Sequence, residues 1–289
     1  MEKYIIKNQE SFNLKDIFEC GQCFRWNRNT DGSYTGVIKD SVINVKKEND
    51  IITFLGESNG NFKEIIREYF DLDTDYLLYK NRLSKIDKYM AESIEFGNGI
   101  RILKQDLWEC IISFIISANN NIPRIKKIIE RLALAYGKKI VFDGKNYYLF
   151  PTPEELSNAS VQDLRDLGLG FRDKRIYNTT RMVLNKEFDI ENFNKLDNTS
   201  KMRDELLKLD GVGPKVADCI LLFAEKRVDV FPIDVWVRRV MNDLYIHNED
   251  EEKVNKKELQ KLAENKFLGL SGIAQQYLFY WKRETERNA

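Results

Sequence analysis

The chain has 289 residues, which at ~150 residues per domain predicts two domains. Its 46 Lys+Arg balance 46 Asp+Glu. That balance excludes a wholly basic, histone-like binder, so any nucleic-acid site must be a local cationic face. At 43% hydrophobic and 32% charged residues, with five Pro, the chain reads as globular rather than disordered.

Single residues exclude further classes. His247 stands alone, so a multi-His zinc site is out and a Ser-His-Asp triad would have to be built around that one residue. The four cysteines, Cys20, Cys23, Cys110 and Cys219, are too scattered for a disulfide framework. Cys20-x-x-Cys23 has no second pair, so neither a structural zinc nor an iron–sulfur cluster is expected. The amino terminus lacks a signal-peptide core, and IISFIISA (111–118), the richest apolar run, is too short to span a bilayer. A reducing, cytoplasmic setting is expected, with no membrane.

In chain order, CFRWNR (23–28), SYTGVIKD (33–40), SVINVKK (41–47) and IITFL (51–55) predict short strands of an antiparallel meander. Asp31-Gly32 and Glu48-Asn49-Asp50 supply its turns. From Asn61 the period becomes helical, with Phe62, Ile65, Ile66, Tyr69 and Phe70 on one face. Asp106 caps a predicted helix through LWECIISFIISA. Pro123 suits the first turn of the next helix, which stops at Gly137. Asp143-Gly144 signals a hairpin, and Ser160-x-x-Asp163 a capping box. Further helices are expected over 171–186, 200–209, 214–226, 235–246, 253–266 and 272–284. The chain therefore reads as α+β: an amino-terminal antiparallel β-rich domain (1–97) packed on a larger all-helical domain (98–289).

The most informative stretch is LLKLDGVGPKVADCILLFA (206–224). One helix ends at Asp210, Gly211-Val212-Gly213 turns tightly, and a second helix starts at Pro214. Glycines leave no Cβ in the way, and the open N–H groups of a helix start attract anions. The pair forms a helix–hairpin–helix cradle for a DNA phosphate, which positions the protein without reading sequence. A plain corner built with Gly is the alternative.

Lys215 lies in the first turn of the second hairpin helix. The positive helix end and burial should both depress its pKa, leaving a neutral amine able to attack carbon. Equally, it could be one more phosphate-binding cation. Asp234, nineteen residues on, precedes the helical run VWVRRV as an N-cap. Capping should hold the carboxylate ionised, where it could stabilise a cationic sugar. A cap with no further role is the alternative.

GVGPK followed by Pro-x-Asp resembles the helix–hairpin–helix DNA glycosylases that carry a catalytic lysine. Endonuclease III-type enzymes share this layout but usually carry four carboxy-terminal cysteines, and here no Cys follows Cys219. GQCFRW (21–26), SANNNIPRI (117–125), LGLGFRDKR (167–175) and GIAQQYLF (272–279) are similar to one branch, the 8-oxoguanine DNA glycosylases of eukaryotes and some bacteria. The likeness runs from about Gly21 to Tyr280.

That resemblance implies a bifunctional glycosylase and abasic-site lyase acting in base-excision repair, with Lys215 as nucleophile and Asp234 as stabiliser. It implies that the Gly21 carbonyl accepts the N7–H of the oxidised purine, that Gln275 bonds its Watson–Crick edge, and that Phe279 and Cys219 enclose its faces. Asn119 would fill the gap left by the flipped base, Arg124 and Arg172 would grip the unpaired cytosine, and Phe171 would wedge the stack. Gly211, Val212 and Gly213 would contact the backbone. Trp236 stands where the family commonly has His, which puts its phosphate contact in question. The implied partner is duplex DNA with 8-oxoguanine opposite cytosine, the implied state a monomer, and no cofactor or metal is required. A Lys-, Asn- and Ile-rich usage suits an AT-rich bacterial genome. Two rivals stay open: a related glycosylase for another damaged base, and a non-catalytic DNA-binding hairpin protein.

Overall fold

A computed structural model describes residues 1–7, 9, 11–58, 60–250 and 253–287. The α+β architecture is as expected. The strands predicted in the amino-terminal segments appear as β2 (Trp26–Arg28), β3 (Tyr34–Ile38), β4 (Ser41–Glu48) and β5 (Ile51–Glu57). A further strand, β1 (Glu2–Lys7), lies where the sequence shows only a short YII run between charges. All pairs are antiparallel, in the order β1-β5-β4-β3-β2, with Tyr4 opposite Phe54 and Trp26 opposite Gly36. A short unpredicted helix, α1 (Leu14–Glu19), is capped by Asn13, whose side chain accepts from the N–H of Lys15 and Asp16.

One sheet face packs on α1 and α2 (Phe62–Tyr69). Phe18 stacks on Trp26 at 4.2 Å, and the Trp26 indole donates to the Tyr69 hydroxyl at 2.8 Å. This core takes in Phe12, Ile43, Val45, Ile52, Phe54, Ile66 and Phe70. The next helices, α3 (Tyr76–Leu83) and α4 (Lys88–Phe96), contribute Leu83, Met90 and Ile94 to the larger helical core instead.

That core is built around α5 (Leu107–Ser117), buried on nearly every side. Asp106 caps it, accepting from the Glu109 N–H at 2.9 Å. Next, α6 (Ile122–Tyr136) is capped by Asn121, carries Pro123 in its first turn, and ends at Gly137. β6 (Lys139–Phe142) and β7 (Lys145–Tyr148) form the predicted hairpin, with Asp143 at φ 49° and Gly144 at φ 70°. Both turn residues thus have the positive φ of a tight primed turn. Phe142 packs on Val37 and Val42, so the hairpin latches the helical domain to the other face of the sheet.

The chain continues through α7 (Pro153–Leu156) and α8 (Val161–Leu164), the latter with the Ser160/Asp163 capping box at 3.1 and 2.8 Å. A π-turn (Arg165–Leu169) and a 3₁₀ turn (Gly170–Arg172) precede α9 (Asp173–Leu184) and α10 (Ile190–Phe193). The hairpin helices are α11 (Thr199–Leu206) and α12 (Pro214–Phe223). The predicted 235–246 helix is α13 (Val235–Met241) followed by a π-turn ending at His247, which has φ +58°. The last helices are α14 (Lys256–Phe267) and α15 (Ser271–Arg287), the latter packed against α4. Cys20 and Cys23 are buried, their thiols donating to the carbonyls of Ile17 (3.4 Å) and Phe18 (3.9 Å). Among the described residues no helix is long and apolar enough to cross a membrane.

Candidate active site and nucleic-acid interface

The hairpin turn divides its two glycines by role. Gly211 has φ +88°, and a Cβ there would lie 2.9 Å from Arg175 and 3.2 Å from Ile115, so the fold itself needs glycine. Gly213 has φ −94° and nothing within 4 Å of a Cβ. Its bareness serves no internal contact and leaves the start of α12 open to an approaching surface. No side chain caps α12, so its first N–H groups face outward, as phosphate recognition requires. The turn is tethered to α9: Thr179 donates to the Asp210 carbonyl at 2.8 Å, and Asn178 to its carboxylate at 2.7 Å.

Lys215 is half-buried in the first turn of α12, with Nζ 5.7 Å from the centre of the Phe114 ring on α5. Its side chain hydrogen-bonds Cys219, one turn along, and feels the Asp234 carboxylate. Burial alone would pull the Lys215 pKa down, but Cys219 and Asp234 outweigh it and hold it above the ordinary lysine value. This corrects the expectation of a depressed pKa: Cys219 and Asp234 favour the ammonium form in the DNA-free protein. The helix end and burial act to lower it, and the two partners, distant in sequence or one turn along, reverse the balance. Burial also pushes the Cys219 thiol up to about 11, against the lowering effect of Lys215. Asp234 caps α13 as expected, accepting from the Val237 N–H at 2.8 Å.

A second cluster forms where the GQCFRW loop meets α15. Gly21 has φ +93°, and a Cβ there would lie 3.3 Å from the Phe279 ring and 3.7 Å from Ile122. Gln275 is buried on the same face of α15, one turn before half-buried Phe279. Phe24 and Trp26 are core residues. Phe24 packs edge-on against Phe114, the ring beneath Lys215, with centroids 5.6 Å apart. The loop is fastened by residues that sequence reasoning missed. Gln22 donates to the carbonyls of Ile17 and Arg101, both at 2.8 Å, and accepts from the Leu103 N–H. Gln276 donates to the Cys20 carbonyl at 2.7 Å, and Arg283 to that of Glu19. The QQ pair in GIAQQYLF was the available signal for Gln276.

The third cluster lies past the end of α5. Asn119 has φ +50°, an uncommon conformation for a residue other than glycine. Arg172 is 2% exposed and spends its guanidinium on carbonyls: Nε on Ala118 at 2.9 Å, Nη1 on Leu169 at 3.3 Å, and Nη2 on Asn119 at 2.8 Å. A cytosine could be gripped only by sharing those donors. Arg124 is exposed, with a single long bond from Nη2 to the Gly168 carbonyl at 3.4 Å. Phe171 stands 55% exposed, its ring flanked by Arg172 (4.2 Å) and Arg175 (5.4 Å). Exposed Arg124 and half-buried Arg175 leave positive charge on this face, whereas the charge of Arg172 is buried. Trp236 is half-buried, and its indole N–H is buried without a hydrogen-bond partner, so that donor does not face a phosphate.

The three clusters meet at the carboxy-terminal end of α5: Phe114 lies beneath Lys215, Ile115 beneath Gly211, and the Asn119 loop leads to Ile122 beside Gly21. Lys215 with Cys219 and Asp234, the hairpin turn, the Asn119 loop and the Gly21–Phe279 contact are thus each attached to residues at or just past this end of α5. Comparison with known proteins agrees with this layout. Residues 4–111 match the 8-oxoguanine DNA glycosylase, N-terminal domain family, and residues 112–265 the HhH-GPD superfamily base excision DNA repair protein family. The N-glycosylase/DNA lyase of Saccharomyces cerevisiae is 35% identical over 81% of this chain and 68% of its own. A probable N-glycosylase/DNA lyase of Methanothermobacter thermautotrophicus is 33% identical over 77% and 75%. The Clostridium acetobutylicum 8-oxoguanine glycosylase/lyase, solved with duplex DNA bearing cytosine opposite 8-oxoguanine, superposes with a TM-score of 0.93 at 42% identity, covering 99% of this chain and 98% of that one. The chain belongs to the helix–hairpin–helix base-excision repair superfamily, in its branch of 8-oxoguanine N-glycosylase/DNA lyases.

Proposed function

We propose that this enzyme removes 8-oxoguanine from duplex DNA and then cleaves the abasic strand through a Schiff base on Lys215. The carrying observation is the grouping of Lys215, Cys219 and Asp234 beside an uncapped helix start. An ammonium cannot expel a base. Glycosidic bond breaking therefore runs ahead of attack, with Asp234 stabilising the positive charge that grows at C1′. The departing purine leaves with the glycosidic electron pair and takes a proton from Lys215. The freed Nζ then closes on C1′, and as the C1′–O4′ bond breaks O4′ keeps its electron pair and takes a second proton from Nζ, leaving the protonated Schiff base and a ring-opened sugar. That imine acidifies C2′–H, and β-elimination breaks the C3′–O bond on the 3′ side. The scheme draws on no cofactor.

Recognition rests on the Gly21 carbonyl. Normal guanine has no N7–H to offer it, and a buried carbonyl left unpaired costs about 1–3 kcal/mol. Cytosine opposite the lesion is read by Arg124, with Arg172 fixing the loop beside it. The protein acts as a monomer on this reading.

Borohydride trapping on 8-oxoguanine duplex tests the proposal. A covalent protein–DNA adduct is expected with the wild type and none with Lys215→Gln, while DNA binding survives. Absence of a wild-type adduct would overturn the lyase assignment. Faster release of thymine glycol than of 8-oxoguanine would move the enzyme to a pyrimidine-lesion reading.

A further inference from the structure

The loop that carries Gly21 is held from α15 at two points. Gln276 holds Cys20, donating to its carbonyl at 2.7 Å. Arg283 does more. Its side chain is about nine-tenths buried, with Nε on Glu284 at 3.0 Å and Nη2 on the Glu19 carbonyl. Its guanidinium carbon lies 5.2 Å from the centre of the Phe279 ring. Among the described residues Nη1 is buried with no hydrogen-bond partner, 3.2 Å from where a side chain on Gly21 would begin. Leaving such a donor unsatisfied carries its full desolvation cost, so stability alone does not explain its placement.

We infer that Arg283 is a positioning residue for lesion recognition, joining the Gly21 loop and the Phe279 ring into one slot of fixed width. This rests on the reading that the chain excises 8-oxoguanine. A purine seated against Phe279 must also bring its N7–H within hydrogen-bond range of the Gly21 carbonyl. One guanidinium sets both walls, through the Glu19 carbonyl on one side and the ring on the other. The purine edge that presents N7–H has carbonyls at C6 and C8, so its arrival brings acceptors to the side of the loop where the buried Nη1 lacks a partner. An arginine fork can serve backbone, ring and incoming base together, whereas a lysine point charge cannot.

The reaction separates this role from a merely structural one, because cleavage at a preformed abasic site needs Lys215 and Asp234 but no base. Full-length wild type, Arg283→Gln and Arg283→Lys are compared in single-turnover assays on two duplexes, one with 8-oxoguanine opposite cytosine and one with an abasic site. Arg283→Gln is expected to lose about tenfold or more in base excision while keeping abasic cleavage within about twofold, and Arg283→Lys to recover part of the loss. Equal loss on both duplexes, or no loss on either, overturns the inference. Wild type that cuts the abasic duplex but leaves 8-oxoguanine in place overturns the functional reading itself.

Discussion

Arg172 donates to the Asn119 carbonyl at 2.8 Å, tying the turn before α9 to the loop after α5. Asn119 sits at positive φ, so the loop is held in a conformation that a free chain would rarely adopt. Arg172→Ala strands the carbonyls of Ala118, Leu169 and Asn119 and is expected to destabilise the protein by about 2–4 kcal/mol. Arg172→Lys should restore less than half, since a point donor cannot span three carbonyls. Urea denaturation checks both, and unchanged midpoints would show that the clamp carries no stability.

The charge state of Lys215 predicts a pH profile. Its pKa is raised, so the amine fraction grows with pH, and single-turnover cleavage of abasic DNA should climb steadily from about pH 6 to 10. Cys219→Ala removes one of the two partners that raise it and should shift this limb to lower pH. Asp234→Asn should shift the limb the same way while lowering the maximal rate. A limb that stays in place in Cys219→Ala would mean the thiol does not govern the amine.

The two hairpin glycines should separate folding from binding. Gly211→Ala meets a positive φ and Arg175 and is expected to cost about 1–3 kcal/mol of stability. Gly213→Ala enters open space at an ordinary φ. It should leave stability within about 0.5 kcal/mol while weakening binding to all DNA sequences alike. Thermal melts and fluorescence anisotropy at two salt concentrations distinguish them. A destabilised Gly213→Ala with unchanged affinity would remove the hairpin from the interface.

What the sequence revealed was local chemistry. Asp106, Pro123, the Asp143-Gly144 turn, the Ser160/Asp163 box and the Asp234 cap each declare themselves within four residues, and the structure places each as read, whereas the Asn121 cap of α6 is hidden in a run of three asparagines. The strand Glu2–Lys7 escaped because its pairing with β5 lies some fifty residues away and its outer positions are exposed. Gln22, Gln276 and Arg283 escaped for the same reason. Their partners are loop carbonyls far along the chain, and a carbonyl leaves no mark in a sequence. The charge on Lys215 is not legible in the segment around it because it depends on Cys219 and Asp234 acting against burial.

Glu109 predicts a stability effect away from the chemistry. Burial raises its pKa from 4.5 to about 7, with Arg25 opposing. The folded state therefore binds more protons than the unfolded chain between those values, and stability falls as pH rises through that window. Glu109→Gln should be near neutral at about pH 4 and stabilising by roughly 1–2 kcal/mol at about pH 8. Chemical denaturation at the two pH values decides it, and equal effects at both would show that the carboxyl does not titrate there.

Arg124 carries the last prediction. Unlike Arg172, it is exposed, and its only long bond runs to the Gly168 carbonyl. Its planar fork can therefore meet a cytosine edge without undoing the protein. Arg124→Ala should leave stability unchanged and lower cleavage opposite cytosine by about 1–3 kcal/mol in transition-state terms. Cleavage opposite the other three bases should move less, because backbone contacts serve all sequences alike. Single-turnover assays on four duplexes differing only in the opposite base measure the ratio directly. If the cytosine preference persists in full, another residue reads that base, and Arg172 would have to release its carbonyls to do so.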